Sequence, residues 1–255
     1  MLIDTHSHLF FKEFKNDLPE VLERARQAGV TTMINVGTDL LSSREAITMA
    51  HQFPNLYAAV GVHPHDVARM GEDDLGLIRE LAQDEKVVGI GEVGLDYYYE
   101  HSPREVQQAA LRKFVRLSLE LGLPIILHCR DAFDDCFRIL DEEGGWQGRG
   151  VFHCFTGDWA VASRIVEKRF YISFSGIVTF KKSHSLHEVA RSVPADLFFL
   201  ETDCPFLAPE PFRGKRNEPS FVGKTAESVA QLRGISLEEM ARQTTQNAQH
   251  LFTLL

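Results

Sequence analysis

Short apolar runs rich in β-branched residues recur along the chain at 2–6, 31–37, 57–62, 87–93, 124–128, 150–155, 171–174 and 197–201. Near-continuous apolar character, rather than strict alternation, is what strands covered on both faces require, and regular helical spacers predict right-handed crossovers between parallel neighbours. The spacers carry their own signals. In Ser102-Pro103-Arg104-Glu105 the serine can cap, the proline suits a first helical turn and the glutamate can close a capping box. Val106, Ala110, Phe114, Leu117 and Leu121 then repeat at spacings of three and four, before Gly122 and Pro124 stop the helix. Ser236-Leu237-Glu238-Glu239 repeats the capping pattern ahead of a final helix with Leu237, Met240, Thr244, Ala248 and Leu251 on its apolar face. Eight strands and about eight helices predict a single domain, 1–255, folded as an α/β TIM-type (β/α)8 barrel, since an open doubly wound sheet more often uses roughly five to seven strands. The Pro-rich, charged stretch 208–220 is expected to be an active-site loop.

Bulk properties narrow the function classes. The formal charge of −9 argues against coating nucleic acid through a broad basic field, but not against gripping one phosphate or one strand end. No apolar run approaches the roughly 18 residues needed to span a bilayer, and no basic, apolar leader opens the chain. Cys129, Cys136, Cys154 and Cys204 form no CxxC pair and read as reduced thiols. A cytoplasmic protein with no membrane association and no obligate protein partner is expected.

The chemistry sits where the strands end. His6 and His8, two apart at the end of the first strand, leave the same face and can converge on one ion. Later strands run into Glu92, His128 and His153, and the last runs into Glu201-Thr202-Asp203. In a (β/α)8 barrel the carboxyl ends of all strands open onto one rim, so these separate positions become neighbours. Six ligands, His6, His8, Glu92, His128, His153 and Asp203, exceed the needs of one tetrahedral zinc but suit two divalent ions about 3.5–4 Å apart, with Glu92 the natural bridge. Nitrogen and oxygen donors leave zinc, manganese and magnesium open. Cys129, Cys154 and Cys204 each follow a proposed ligand, but strand alternation turns them to the opposite face, where a thiol packs like an apolar residue.

Gly61-Val62-His63-Pro64-His65 brings two more histidines to the same rim. His63 is placed to hydrogen-bond a leaving group or substrate oxygen, and His65 to contact substrate or cap the following loop. Arg130, after His128, and the loop cations Arg213, Lys215 and Arg216 are candidates for gripping an anion.

These residues lie in motifs that resemble the TatD family of metal-dependent deoxyribonucleases, among the amidohydrolase-type barrels: Asp4-Thr5-His6-Ser7-His8, Gly61-Val62-His63-Pro64, Gly91-Glu92-Val93-Gly94-Leu95-Asp96-Tyr97-Tyr98, His128-Cys129-Arg130-Asp131, Phe152-His153-Cys154-Phe155-Thr156-Gly157, Glu201-Thr202-Asp203-Cys204-Pro205 and Arg216-Asn217-Glu218-Pro219. The resemblance implies a TIM-type barrel, ligation at the six matching positions, and exonuclease-type hydrolysis of phosphodiester bonds in DNA. On that reading Asp203 is both ligand and base for a water acidified by the ions, while His63 and Arg216 meet charge on the phosphoryl oxygens and leaving group. Two other functions stay open. A metal-dependent ester or amide hydrolase such as a deacylase would use the same water on a carbonyl carbon, and a catalytically silent barrel would use the rim for ligand capture alone.

Overall fold

The computed structural model describes residues 1–254. Eight strands form one sheet whose spatial order follows the chain: β1 (Leu2–Ser7), β2 (Val30–Val36), β3 (Leu56–Val60), β4 (Val87–Asp96), β5 (Ile125–Arg130), β6 (Gly150–Phe152), β7 (Tyr171–Phe174) and β8 (Phe198–Leu200). Between and after them run α1 (Leu18–Gln27), α2 (Leu40–Gln52), α3 (Asp74–Leu81), α4 (Arg104–Leu121), α5 (Phe133–Glu142), α6 (Trp159–Glu167), α7 (His184–Ser192), α8 (Val222–Arg233) and α9 (Leu237–Phe252). Eight parallel strands with intervening helices are the expected (β/α)8 TIM-type fold. All eight predicted strands are present. The chain divides into two compact units, Met1–Asn35 together with the chain from Cys154 onward, and Val36–His153.

In the first unit β1 is buried along its whole length and pairs in parallel with β2, and β7 pairs with β8 through Ile172–Phe198 and Phe174–Leu200. Phe170, Phe174, Phe198 and Phe199 are fully buried there, each worth about 1.5–3 kcal/mol of transfer free energy. Ser236 caps α9 as expected, accepting from the Glu239 N–H at 3.1 Å, and Met240, Thr244, Ala248 and Leu251 are buried, while Leu237 stays exposed. The stretch 208–220 carries no long helix or strand, only the start of a short 3₁₀ turn at Pro219–Phe221.

In the second unit β4 is buried over ten residues and pairs with β5 through Gly94–His128, Leu95–Cys129 and Asp96–Arg130. Gly94 makes that pairing possible. Its φ is +145°, and a Cβ there would lie 1.9 Å from the His128 carbonyl oxygen, so only glycine lets the two strands approach. Helix α4 begins one residue later than the capping pattern suggests. Pro103 occupies the cap, while the Ser102 hydroxyl donates to the His65 carbonyl at 2.8 Å and accepts the Ala68 N–H at 3.1 Å. Val106, expected on the buried face, is exposed, and Gln107 takes the inward place, accepting the Asp96 N–H at 2.8 Å. Gly122 closes α4 in the left-handed conformation (φ 65°) as predicted.

No helix among the described residues is long and apolar enough to cross a membrane.

Candidate metal centres

In the first unit the end of β1 and the turn after β8 are tied together by backbone hydrogen bonds from Asp203 N–H to the His6 carbonyl and from His8 N–H to the Cys204 carbonyl, both 2.9 Å. Asp203 sits in the left-handed region (φ 58°), which aspartate tolerates better than most residues. The side chains consequently converge. His6 Nε2 lies 3.2 Å from His8 Nε2, and Asp203 Oδ1 lies 3.3 Å from His8 Nε2 and 3.9 Å from His6 Nε2. An ion about 2.0–2.2 Å from each donor sets tetrahedral ligand atoms roughly 3.3–3.6 Å apart, so this donor set fits one divalent ion. His6 and His8 are buried.

The support behind these three residues comes from Asp4, which sequence reasoning passed over. It is fully buried, accepts the Thr202 N–H at 2.8 Å and the Thr202 hydroxyl at 2.6 Å, and burial pushes its carboxyl up to about 7. A charged residue inside the apolar run of the first strand was the available signal. Asn217 adds a second tie, donating from Nδ2 to the Thr202 and Phe206 carbonyls at 2.8 and 2.6 Å and so holding both sides of Asp203. Glu201 is buried and engaged by the Cys154 N–H at 2.7 Å and the Ser173 hydroxyl.

In the second unit one oxygen, Glu92 Oε1, gathers three imidazoles: His153 Nε2 at 2.8 Å, His128 Nδ1 at 3.0 Å and His63 Nε2 at 3.3 Å. His153 Nε2 and His128 Nδ1 are 3.4 Å apart. Burial raises the Glu92 pKa, but the charges of His153 and His63 and the hydrogen bonds of His128 and His153 outweigh it and hold the carboxyl well below the usual range. Glu92 is therefore an anion at neutral pH.

The three histidines differ in what they can offer. His128 Nε2 points at Asp96 Oδ2, 3.0 Å away, leaving Nδ1 toward Glu92. This is the carboxylate–histidine arrangement that fixes the tautomer of a metal ligand. Asp96 belongs to this cluster, and the predicted end of the fourth strand at 93 concealed it. The strand continues to Asp96, and four residues beyond Glu92 is the same face. Burial opposes the charge on His128, yet the hydrogen bonds of Asp96 and Glu92 raise its pKa. His63 is the reverse case. Burial lowers its pKa to about 4, so it is neutral at pH 7, and its Nδ1 accepts the His65 N–H at 3.1 Å. The proton then resides on Nε2, making that atom a hydrogen-bond donor rather than a metal ligand.

Three comparisons bear on what such centres do. A family profile described as TatD related DNase matches residues 3–253. The chain belongs to the TatD family. It is 46% identical over its whole length to "Uncharacterized metal-dependent hydrolase YabD" of Bacillus subtilis (strain 168), all of which is covered. It is also 36% identical to "3'-5' ssDNA/RNA exonuclease TatD" of Erwinia tasmaniensis, over 99% of this chain and all of that one. The crystal structure of YJJV, a TatD homologue from Escherichia coli K12, superposes with a TM-score of 0.94 at 29% identity, covering 100% of this chain and 98% of that one. The protein is thus a TatD-family metal-dependent hydrolase with a TIM-type barrel fold.

Among the residues expected to meet substrate, His65 Nε2 lies 3.1 Å from Asp96 Oδ2, and Arg130 stacks its guanidinium 3.9 Å from the Tyr98 ring centroid and 4.9 Å from that of Tyr99. The loop cations have partners within the fold. Arg216 makes a two-pronged ion pair with Asp17, both bonds 2.7 Å, and donates to the Glu13 carbonyl at 2.5 Å, so its fork is committed to the fold. Arg213 covers the Phe180 ring at 4.4 Å and Lys215 the Phe212 ring at 5.9 Å. The cysteines behave as small apolar residues. Cys204 is fully buried, burial pushes the thiols of Cys129 and Cys204 well up, and no cysteine joins a candidate metal group among the described residues.

Proposed function

We propose that this TatD-family hydrolase is an exonuclease that cuts phosphodiester bonds in DNA, using two divalent ions. One is held by His6, His8 and Asp203 and the other by Glu92, His128 and His153. The observation that supports the reading best is the convergence of donors: His6, His8 and Asp203 are spaced for one ion, and Glu92 Oε1, His128 Nδ1 and His153 Nε2 lie within 3.4 Å of one another. Imidazole and carboxylate donors without thiolate leave zinc, manganese and magnesium open.

Bound ions supply acidification of a water molecule and polarisation of the phosphoryl oxygen. The protein's own groups do the rest. Asp203, with its side chain 14% exposed, is the least buried of the first three donors and is positioned to orient the attacking water and take its proton. His63, neutral with its proton on Nε2, is a donor for the leaving oxygen, and its low pKa keeps it in that form across the physiological range. Asp96 holds His128 in the ligating tautomer. Asn217 and Thr202 fix the turn on which Asp203 rides.

The test is an activity screen of metal-reconstituted enzyme over single-stranded and duplex DNA, RNA, nucleotides and aminoacyl esters, with Asp203→Ala as control. Stepwise release of mononucleotides from single strands, lost in the variant, is expected. Turnover of esters without cleavage of any phosphodiester would replace the nuclease with a deacylase.

A further inference from the structure

Seven large apolar side chains are exposed among the described residues, and only Tyr98 and Tyr99 are neighbours in sequence. They are 59% and 52% exposed and follow Asp96 at the end of β4, the strand that carries Glu92. Their backbone is anchored where the chemistry is. The Tyr98 and Tyr99 N–H groups donate to Asp96 Oδ1 at 3.0 and 2.8 Å, and the other oxygen of the same carboxylate takes His128 Nε2 at 3.0 Å. A ligand resting on these rings therefore lies beside the Glu92 donor set.

The surroundings of the rings suit a flat, anionic molecule. Tyr98 and Tyr99 meet edge to face, with centroids 4.8 Å apart, and His101 lies parallel to Tyr99 within 4° at 5.6 Å. Arg130 stacks against both tyrosines. Unlike Arg216, Arg24 or Arg112, it forms no ion pair among the described residues, so its charge is available to a phosphate. Aromatic faces that take up bases, with an arginine for the backbone, are the parts by which proteins hold single strands without reading sequence.

We propose that Tyr98 and Tyr99, with Arg130, form a stacking platform for the nucleobases of a single-stranded end, delivering it to the Glu92 donor set. The proposal rests on the nuclease reading above and goes beyond it in naming the side chains that take up the strand; bases stacked within a duplex cannot lie on these rings. Little base preference follows, since every base has an aromatic face.

The test measures binding, so that it does not depend on turnover. Fluorescence anisotropy of a labelled phosphorothioate hexathymidylate, and of a hexamer of abasic residues, is followed with metal-loaded wild type, Tyr98→Ala/Tyr99→Ala and Tyr98→Phe/Tyr99→Phe. The double alanine variant is expected to bind the thymidine strand at least about tenfold more weakly, and the double phenylalanine variant within about threefold of wild type, because stacking needs the ring and not the hydroxyl. The abasic strand is expected to bind all three proteins equally weakly. Wild-type affinity in the double alanine variant, equal binding of abasic and thymidine strands by wild type, or no measurable binding of either strand overturns the platform. Tyrosine-dependent binding by an enzyme that cleaves no strand leaves the platform standing and overturns the nuclease reading instead.

Discussion

Replacing Asp96 by asparagine isolates the contribution of a residue that touches no ion. Asp96 is 1% exposed and accepts from His128 Nε2 (3.0 Å) and the Tyr98 and Tyr99 N–H groups (3.0 and 2.8 Å), with His65 Nε2 at 3.1 Å. Asparagine keeps an oxygen for the two backbone donors but turns an NH₂ group toward the imidazoles. His128 must then accept at Nε2 and carry its proton on Nδ1, the atom that faces Glu92 at 3.0 Å, which removes it as a ligand. Loss of such an orienting carboxylate costs about 10–100-fold in metal affinity or activity, or roughly 1.4–2.7 kcal/mol. Competitive titration with a chromophoric chelator should show one ion weakened by that factor and the other held as in wild type. The His128 pKa in the metal-free variant, followed by ring-proton NMR, should fall, since a hydrogen bond that raises it is gone. Unchanged affinity for both ions would refute the assignment of Asp96 as the residue that orients His128.

Four further outcomes follow from the same geometry. Gly94→Ala should destabilise the protein by about 2–5 kcal/mol in urea, from the clash with the His128 carbonyl and the positive φ, and a midpoint equal to wild type would contradict it. Ser236→Ala should cost about 1 kcal/mol by the same assay through loss of the α9 cap, with no change in metal content. Burial raises the Glu218 pKa, but hydrogen bonds from Arg24 and Ser220 outweigh it and leave it lowered. The associated stability is therefore present above the unfolded carboxyl pKa of about 4.3 and fades as pH falls through the folded value. The stability gap between wild type and Glu218→Gln should accordingly shrink in acid, and a constant gap would exclude the mechanism. In the metal-free protein burial should keep His63 uncharged until the pH nears 4, and an NMR titration midpoint near 6.5 would contradict the donor role derived for Nε2.

What the sequence disclosed and what it hid have separate physical causes. Strands buried on both faces leave continuous apolar runs, so all eight were legible, and a residue of ligand type where a run stops marked His6, Glu92, His128 and His153. Asp96 was hidden because Gly94 and the charge itself break the apolar run two residues before the strand ends. Ser102 read as a cap because capping patterns are local, whereas its hydroxyl is claimed by His65 and Ala68, more than thirty residues away. Arg216 read as a phosphate grip for a similar reason, since its partner Asp17 lies 199 residues distant and no local pattern announces it. Side-chain partners across the fold are set by topology, which periodicity does not encode.

If two donor sets hold two ions that cut a phosphodiester bond, stepwise addition of divalent ion to metal-free enzyme, with mononucleotide release from a single-stranded oligonucleotide as the readout, counts the ions that activity needs. Activity is expected to rise until two equivalents are bound, with none at any loading in Asp203→Ala. Full activity in the metal-free enzyme, saturation at one equivalent, or turnover by Asp203→Ala at the wild-type rate would contradict two-ion catalysis.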